Sequence, residues 1–232
     1  ALSSAASDVY KRQVYLRAGT YYIDEPIAFD KTDRGNVIYT AYNNEAVTFA
    51  GSVPITQWKE TTVNGVKAFV SDTNLRFNSL YNGDTALFRT RYPKEGYLYV
   101  SSVDQNDALQ PGHPRFAQNL SFKLTPSQIM DFKNVNDVVV RIFHFWKDEI
   151  ANIDNMVMTG AANKRGKITM SRHTAMTINV NDRVYFENVF EMLTEPGQWY
   201  LDTVENKVYY IPKSGETTKN LTLNAGITEQ FI

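Results

Sequence analysis

The sequence predicts an all-β fold that joins two kinds of sheet and includes one or two short helices. Residues 14–55 are dense in β-branched and aromatic side chains, with glycine and proline corners at a spacing of about one coil of a parallel β-helix. Residues 56–212 change to hairpin patterns, which are typical of an antiparallel β-sandwich. The hydrophobic content of 43% is sufficient for a sizeable core.

Short strands separated by tight corners are predicted in the first region. Corners are placed at Gly19, Pro26 and Gly51, because glycine and proline punctuate strands. The apolar segments lie at residues 14–16, 21–23, 27–29, 37–39 and 47–49. A lone coil leaves its backbone edges unpaired, so each strand is expected to pair with its counterpart in the next coil.

Hairpins dominate the second region. The dipeptide Asn82-Gly83 lies between β-rich flanks and is a strong hairpin signal, since both residues tolerate positive φ. Continuous strands are predicted at residues 85–90 and 138–146, the second as a buried core strand. A last hairpin is predicted to join residues 198–202 and 208–211 through a polar turn.

Two short helices are expected to interrupt the hairpins. Thr125 is an N-cap hydroxyl, Pro126 suits the first helical position, and Gln128 completes a capping box. These signals predict a helix that ends near Phe132. Apolar residues at helical spacing predict a second helix over residues 186–193.

The two ends of the chain differ from the rest. Residues 1–13 include a run that looks like translated sequencing-library adapter, so they are predicted to be an artefact or disordered, with a signal peptide lost upstream. Residues 213–232 are expected to return toward the β-helix. The bulky Phe231 and Ile232 suggest a break there rather than a natural end.

Charge and composition exclude several classes of function. Lys and Arg total 24 and Asp and Glu total 25, so the chain has no basic field that would attract nucleic acid. The absence of cysteine excludes disulfides, thiolate metal sites and thiol nucleophiles. No apolar run is long enough to predict a membrane span.

The three histidines, His113, His144 and His173, lack the paired spacing of a metal site. We therefore expect neither a metal nor another cofactor. His144 alternates with two phenylalanines, which predicts a hydrogen-bonded side chain on the less buried face of its strand.

Five segments carry a family resemblance, and they lie at residues 14–22, 47–51, 185–189, 196–202 and 209–212. They resemble bacterial right-handed parallel β-helix glycoside hydrolases with an inserted β-sandwich, a group that includes β-xylosidases, xylanases and fucosidases. The resemblance implies an exported protein, extracellular or periplasmic, and cleavage of a polysaccharide or oligosaccharide by two carboxylates. It places those carboxylates on coils after the sandwich. No catalytic residue is assigned, and this chain alone is expected to be inactive.

Trp146 is a candidate for substrate binding. Its indole could stack on the apolar face of a pyranose, with Asp148 and Glu149 nearby for hydroxyl groups. Packing at a strand end is the favoured interpretation. Adjacent residues on a strand point to opposite faces, so the two acids are not expected to act on one bond.

Arg91 and Tyr92 are the other candidates for substrate binding. With Arg89 they match an arginine-rich stretch of the resembled family. Two interpretations are open: the side chains reach the substrate cleft, or they tie the sandwich to the β-helix. The second is favoured.

Two rival functions compete with the glycoside hydrolase. One is a non-catalytic glycan-binding or adhesin β-helix, because such folds serve many roles. The other is a polysaccharide lyase. Two carboxylates on neighbouring coils would favour the hydrolase, whereas a Lys or Arg base with calcium-binding acids would favour the lyase.

Overall fold

The computed structural model describes residues 12–32, 35, 37–158, 166–228 and 230–231. Within this part of the chain there are twenty-one β-strands and five 3₁₀ helices of a single turn. The prediction of an all-β fold is confirmed. Most of the predicted artefact at residues 1–13, and Ile232 at the predicted break, lie outside the described residues. Arg12 and Gln13 are part of the first strand.

The first nine strands are β1 (Arg12–Leu16), β2 (Gly19–Tyr22), β3 (Val37–Ala41), β4 (Val47–Ala50), β5 (Ser52–Ile55), β6 (Lys59–Val63), β7 (Val66–Asp72), β8 (Ser79–Asn82) and β9 (Thr85–Ala86). The next six are β10 (Phe88–Arg89), β11 (Arg91–Tyr92), β12 (Leu98–Tyr99), β13 (Ser102–Val103), β14 (Ser121–Lys123) and β15 (Val139–Phe143). The last six are β16 (Asp148–Val157), β17 (Lys167–Met170), β18 (Arg183–Glu187), β19 (Gln198–Asp202), β20 (Lys207–Tyr210) and β21 (Leu223–Gly226). The 3₁₀ helices are Tyr42–Asn44, Gln105–Asp107, Pro126–Gln128, Val135–Asp137 and Phe190–Met192.

The first four strands form two parallel pairs. β1 pairs with β3, with Arg12 opposite Val37, and β2 pairs with β4, with Gly19 opposite Val47. The consecutive strands β1 and β2 therefore lie beside the consecutive strands β3 and β4. We call these four strands the parallel rungs. None of the described residues before Ile55 is buried, so this layer has little core of its own.

The remaining strands form three larger, mainly antiparallel sheets. Their orders are β5-β21-β8-β9, β10-β19-β20-β7-β6 and β11-β18-β15-β16-β17-β14-β13, with β12 also paired to β18. One core lies on the inner face of the eight-stranded sheet, around Phe122, Ile142 and Phe186. A second core joins the four- and five-stranded sheets around Trp199 and Leu80.

The chain leaves the rungs and returns to them at one place. β5 follows β4 directly, and β21 pairs antiparallel with β5, so that Ser52 lies opposite Gly226. The next residues contact the first region again: the Ile227 N–H donates to the Gly51 carbonyl at 3.0 Å, and the Ile27 N–H donates to the Phe231 carbonyl at 2.8 Å. The segment from β6 to β20 therefore lies between β5 and β21, the two paired strands that adjoin the rungs.

The first predicted helix is present with its predicted N-cap but is shorter than predicted, and the second predicted helix is wrong. The first is reduced to the turn Pro126–Gln128, because Ile129 is already extended at ψ 154° although the Gln128 side chain accepts the Thr125 N–H at 3.3 Å. The second divides between β18 and the turn Phe190–Met192, because Asn188 adopts φ 60° between them. The apolar spacing reflected burial in two successive elements rather than one helix.

Two predicted strands need correction, and both predicted hairpins are present. The loop of the β8-β9 hairpin is Gly83-Asp84, since Asn82 pairs with Thr85. The predicted strand at 85–90 is split between β9 and β10, which belong to different sheets. The predicted strand at 138–146 ends at Phe143. β19 and β20 form the predicted last hairpin.

Candidate functional site

Trp146 lies at the tip of the β15-β16 hairpin. Phe143 pairs with Asp148, and the His144 N–H donates to the Lys147 carbonyl at 2.8 Å, so Phe145 and Trp146 are the central residues of the turn. Such positions usually hold glycine, asparagine or aspartate. Two aromatic residues here have no folding rationale.

Both aromatic side chains of the tip are exposed. Phe145 is 87% exposed and Trp146 is 57% exposed, and their rings meet edge to face at 5.5 Å. The favoured interpretation of Trp146 as a residue packed at a strand end is therefore wrong. The strand ends before it, and the turn carries the indole away from the sheet.

A cavity of about 270 Å³ lies beside this tip. Three separate segments line it: Pro114 and Arg115, the hairpin from His144 to Trp146, and the stretch Met176, Thr177 and Asn179. The guanidinium carbon of Arg115 is 5.8 Å from the centroid of the Trp146 ring. The cavity thus combines an exposed aromatic wall with a cation and an amide, a combination suited to a small polar ligand with an apolar face.

His144 lies at the floor of this cavity and is almost fully buried, with 7% exposure. Its Nδ1 is 3.0 Å from the Thr177 carbonyl, to which it can only donate. Its Nε2 is 3.3 Å from Oε1 of Glu149. The prediction of a less buried face is wrong, because His144 alternates with the core residues Val140 and Ile142 rather than with solvent-facing ones.

Asp148 and Glu149 point to opposite faces of β16, as predicted. Asp148 is exposed and is paired with Arg141. Glu149 is buried, and its carboxylate accepts the backbone N–H groups of Ala175 and Met176, both at 3.0 Å to Oε1. Glu149 therefore anchors a loop beside the cavity.

Asp182 is a further carboxylate near His144. Its Oδ2 lies 3.8 Å from Nδ1 of His144 and accepts the Asn179 N–H at 2.8 Å. Burial raises the pKa of Asp182 above its ordinary value, against the opposing effect of that hydrogen bond. Neither Asp182 nor Glu149 lines the cavity.

Arg91 is held on the outer face of the eight-stranded sheet. Its guanidinium lies over the ring of Tyr185 at 4.1 Å and over the ring of Tyr97 at 5.5 Å, and it donates to the Lys94 carbonyl at 3.3 Å. Arg91 also donates to the Gly96 carbonyl. These contacts fix the loop that follows β11.

Tyr92 faces the core instead. Its ring packs edge to face on Phe132 at 6.2 Å, and its hydroxyl donates to the Gln128 carbonyl at 3.3 Å. In the sheet, Arg91 lies opposite Glu187, and Glu187 lies opposite Val139 at the start of β15. Trp146 follows the other end of β15. About 13 Å of strand separates the two ends. The three candidate residues thus do not form one site.

Arg89 supports the wall of a second cavity. It donates to the Asn188 side chain at 3.3 Å and to the Asn78 side chain at 3.1 Å, and it lies over the Trp199 ring at 5.3 Å. Burial lowers the pKa of Arg89 to about 10. Asn78 lines this cavity and Arg89 does not. Arg89 therefore supports the cavity by holding the Asn78 side chain.

The second cavity, of about 700 Å³, lies between the parallel rungs and the four-stranded sheet. Tyr22 and Phe49 line it from the rungs, and Tyr81 and Asp84 line it from the β8-β9 hairpin. Asp84 is the one carboxylate among the described residues that line it. Sequence reasoning missed both cavities, because each is assembled from segments that are distant along the chain.

Among the described residues, no group of three or more His, Asp or Glu side chains could hold a metal ion. In the same part of the chain, no helix has the length and apolar character needed to cross a membrane.

The fold has a counterpart among solved structures. A solved structure described as "Glycoside hydrolase" superimposes with a TM-score of 0.69 at 18% sequence identity, covering 94% of this chain and 39% of that one. The chain thus spans well under half the length of that protein.

The more particular finding concerns residues 167–213, which match the family described as "GH141 insertion domain". These residues run from β17 through β20 and contribute strands to both the eight- and the five-stranded sheet. No curated protein matches the chain. Together, the family match and the shared fold support the predicted relationship to glycoside hydrolases.

Proposed function

We propose that this chain is the N-terminal, substrate-binding part of an exported glycoside hydrolase that acts on a polysaccharide or oligosaccharide. In this proposal the parallel rungs begin a right-handed β-helix and the sheets between β5 and β21 form an inserted domain. The inserted domain contacts the sugar, and the catalytic carboxylates come from residues outside this chain.

The observation that carries the sugar-binding role is the exposed indole of Trp146 beside a cavity. Aromatic faces suit the apolar face of a pyranose, and polar groups around them bind the hydroxyls. Exposed aromatic residues at a hairpin tip also contribute nothing to the core, so binding explains them better than folding does.

The insertion is supported by the pairing of β5 with β21. Ser52 lies opposite Gly226, so the chain leaves and rejoins the rungs side by side. The parallel register of β1 with β3 and of β2 with β4 is the pairing that successive coils of a β-helix require. The match of residues 167–213 to an insertion domain falls within the bracketed segment.

The acids of the two cavities support the proposal that catalysis requires residues outside this chain. Glycoside hydrolysis generally needs two carboxyl groups, about 5 to 10 Å apart across the sugar. Among the described lining residues, the large cavity holds one carboxylate, Asp84, and the cavity beside Trp146 holds none. Neither cavity supplies the required pair.

Binding and turnover test the proposal separately. Calorimetric titration with xylo- and fuco-oligosaccharides should show binding that Trp146→Ala abolishes and that Phe88→Ala, an exposed aromatic residue away from the cavity, leaves intact. Nitrophenyl xylosides and fucosides should not be hydrolysed. Turnover that Asp84→Asn abolishes would place catalysis within this chain and contradict the proposal.

A further inference from the structure

We infer that the cavity beside Trp146 binds a sugar unit that carries an anionic group, either a carboxylate or a sulfate ester, and that Arg115 pairs with that group. The inference rests on the proposed sugar-binding function and specifies its substrate class. Three features of the cavity carry it: an unpaired cation, the arrangement that fixes this cation, and a lining in which no described residue is an acid.

Arg115 is the exposed cation of the cavity. Some arginines of the chain are paired with acids, as Arg17 is with Glu45 at 2.9 Å and Arg172 is with Glu149 at 3.6 Å. Among the described residues, no carboxylate lies within ion-pairing distance of Arg115 and no acceptor binds its guanidinium. A free guanidinium can form two parallel hydrogen bonds with a carboxylate or a sulfate.

The backbone of Arg115 is fixed although its side chain is exposed. Its N–H donates to Nδ1 of His113 at 3.2 Å, and its carbonyl accepts the Thr177 N–H at 2.9 Å. The guanidinium therefore starts from a defined place at the cavity rim. At 5.8 Å from the indole centroid it is near the outer limit of cation–π contact, so it can turn toward a substituent of a stacked sugar.

The described lining of the cavity contains a histidine and no acid. Nδ1 of His144 donates to the Thr177 carbonyl at 3.0 Å, which fixes the ring at the cavity wall. The Glu149 carboxylate, 3.3 Å from Nε2 of His144, does not line the cavity. No described carboxylate of the lining would repel an anion.

Asn179 completes the polar side of the cavity. Its Nδ2 donates to the Thr177 carbonyl at 3.4 Å, which leaves Oδ1 to accept a sugar hydroxyl. The small volume of about 270 Å³ suits a single sugar unit rather than a chain of several. The cavity therefore has one place for stacking, one for an anion and one for a hydroxyl.

The experiment compares matched ligands by calorimetric titration at low salt. The probes are digalacturonate, its neutral methyl ester and a sulfated galactose disaccharide. We expect at least one anionic probe to bind about tenfold or more tightly than the ester, with a preference that falls as salt screens the charge. Whichever anion binds identifies the source of the charge.

Variants connect this preference to Arg115. Arg115→Gln should bring the anionic probes to the affinity of the ester, and Arg115→Lys should restore part of the preference. The matched control is Arg183→Gln, since Arg183 is also exposed over aromatic rings, those of Tyr97 and Phe143 at 5.0 and 5.4 Å, but does not line the cavity. Arg183→Gln should change nothing.

The outcomes separate the two proposals. Equal binding of ester and anions, lost in Trp146→Ala, would overturn the anionic specificity and keep the sugar-binding function. An anionic preference that persists in Arg115→Gln would also overturn the inference. If no neutral or anionic sugar binds, both proposals fail.

Discussion

Nε2 of His144 lies 3.3 Å from Oε1 of Glu149, and the two side chains are only 1% and 4% exposed. His144 directly follows β15 and Glu149 lies in β16, so the two residues lie on the two sides of the hairpin that carries Trp146. Glu149 lies opposite Ile142, so His144 and Glu149 share the core face of the sheet. The pair therefore joins the base of the exposed tip to the loop at Ala175 and Met176, whose N–H groups Glu149 accepts.

Replacement of Glu149 by glutamine should be strongly destabilising. The change removes a buried charge from its histidine partner and places an amide against two backbone donors, so a loss of about 3 kcal/mol in the free energy of unfolding is expected. The control is Asp148→Asn at the adjacent, exposed acid, which should cost less than about 1 kcal/mol. Urea unfolding of both variants measures the difference. Equal losses would contradict the buried pair.

The two tryptophans Trp146 and Trp199 should respond in opposite ways. Trp199 is fully buried, stacks on Phe77 at 5.4 Å and donates to the Leu87 carbonyl at 3.3 Å. Trp199→Ala should therefore cost about 3 to 5 kcal/mol, whereas Trp146→Ala should cost about 0.5 kcal/mol or less. Thermal and urea unfolding check the stabilities. A large loss in Trp146→Ala would show that the indole packs after all.

The sequence predicted the strand content well, because alternation and β-branched composition act locally. It failed at Trp146, since the apolar run from 138 to 146 does not reveal where a strand ends and a turn begins. The turn is set by the pairing of Phe143 with Asp148, which is a tertiary relationship. A sharper interpretation was available: Ala151 and Ile153 alternate with the polar Asn152 and Asp154, which indicates a second strand and hence a hairpin around Trp146.

The candidate site was harder to predict than the fold. Arg115 and Asn179 were not predicted, because nothing in their local sequence distinguishes them from ordinary loop residues. Their proximity to Trp146 arises when β14, β15 and β18 are placed in one sheet. Arg91 and Tyr92 were selected by family resemblance, and the structure separates them from Trp146 by the length of β15.

Asn188 should be intolerant of replacement. Its side chain donates to the Leu201 carbonyl at 2.8 Å and to the Asp137 carbonyl at 3.1 Å, and it accepts the Leu201 N–H at 2.9 Å. Asn188→Ala would leave these buried groups unsatisfied and strain a backbone at φ 60°, so a loss of at least about 3 kcal/mol is expected.

Asn188→Gly separates the two causes of this loss. Glycine removes the same hydrogen bonds but adopts positive φ without strain, so it should be about 1 kcal/mol more stable than the alanine variant and remain well below the native protein. Urea unfolding of the three proteins tests this order. An alanine variant as stable as the native chain would show that the bridge between β18 and β19 is dispensable.

Asp202 should make stability depend on pH. Burial raises the pKa of Asp202, but hydrogen bonds from the Glu205 N–H at 2.8 Å and from the Lys133 ammonium at 3.0 Å outweigh it, and the pKa is lowered overall. A lowered pKa in the folded state means that the contribution is complete above the unfolded value of about 3.9 and is lost as pH falls further. Asp202→Asn should therefore be less stable than the native protein at pH 7, by about 2 kcal/mol, and this gap should close between about pH 4 and pH 2.

Urea midpoints across that pH range measure the difference in stability between Asp202→Asn and the native protein. Asp72→Asn is the control, because Asp72 is 73% exposed beside Lys59. A gap for Asp202→Asn that stays constant from pH 7 to pH 2 would show that the Lys133 and Glu205 contacts do not stabilise the ionised carboxylate.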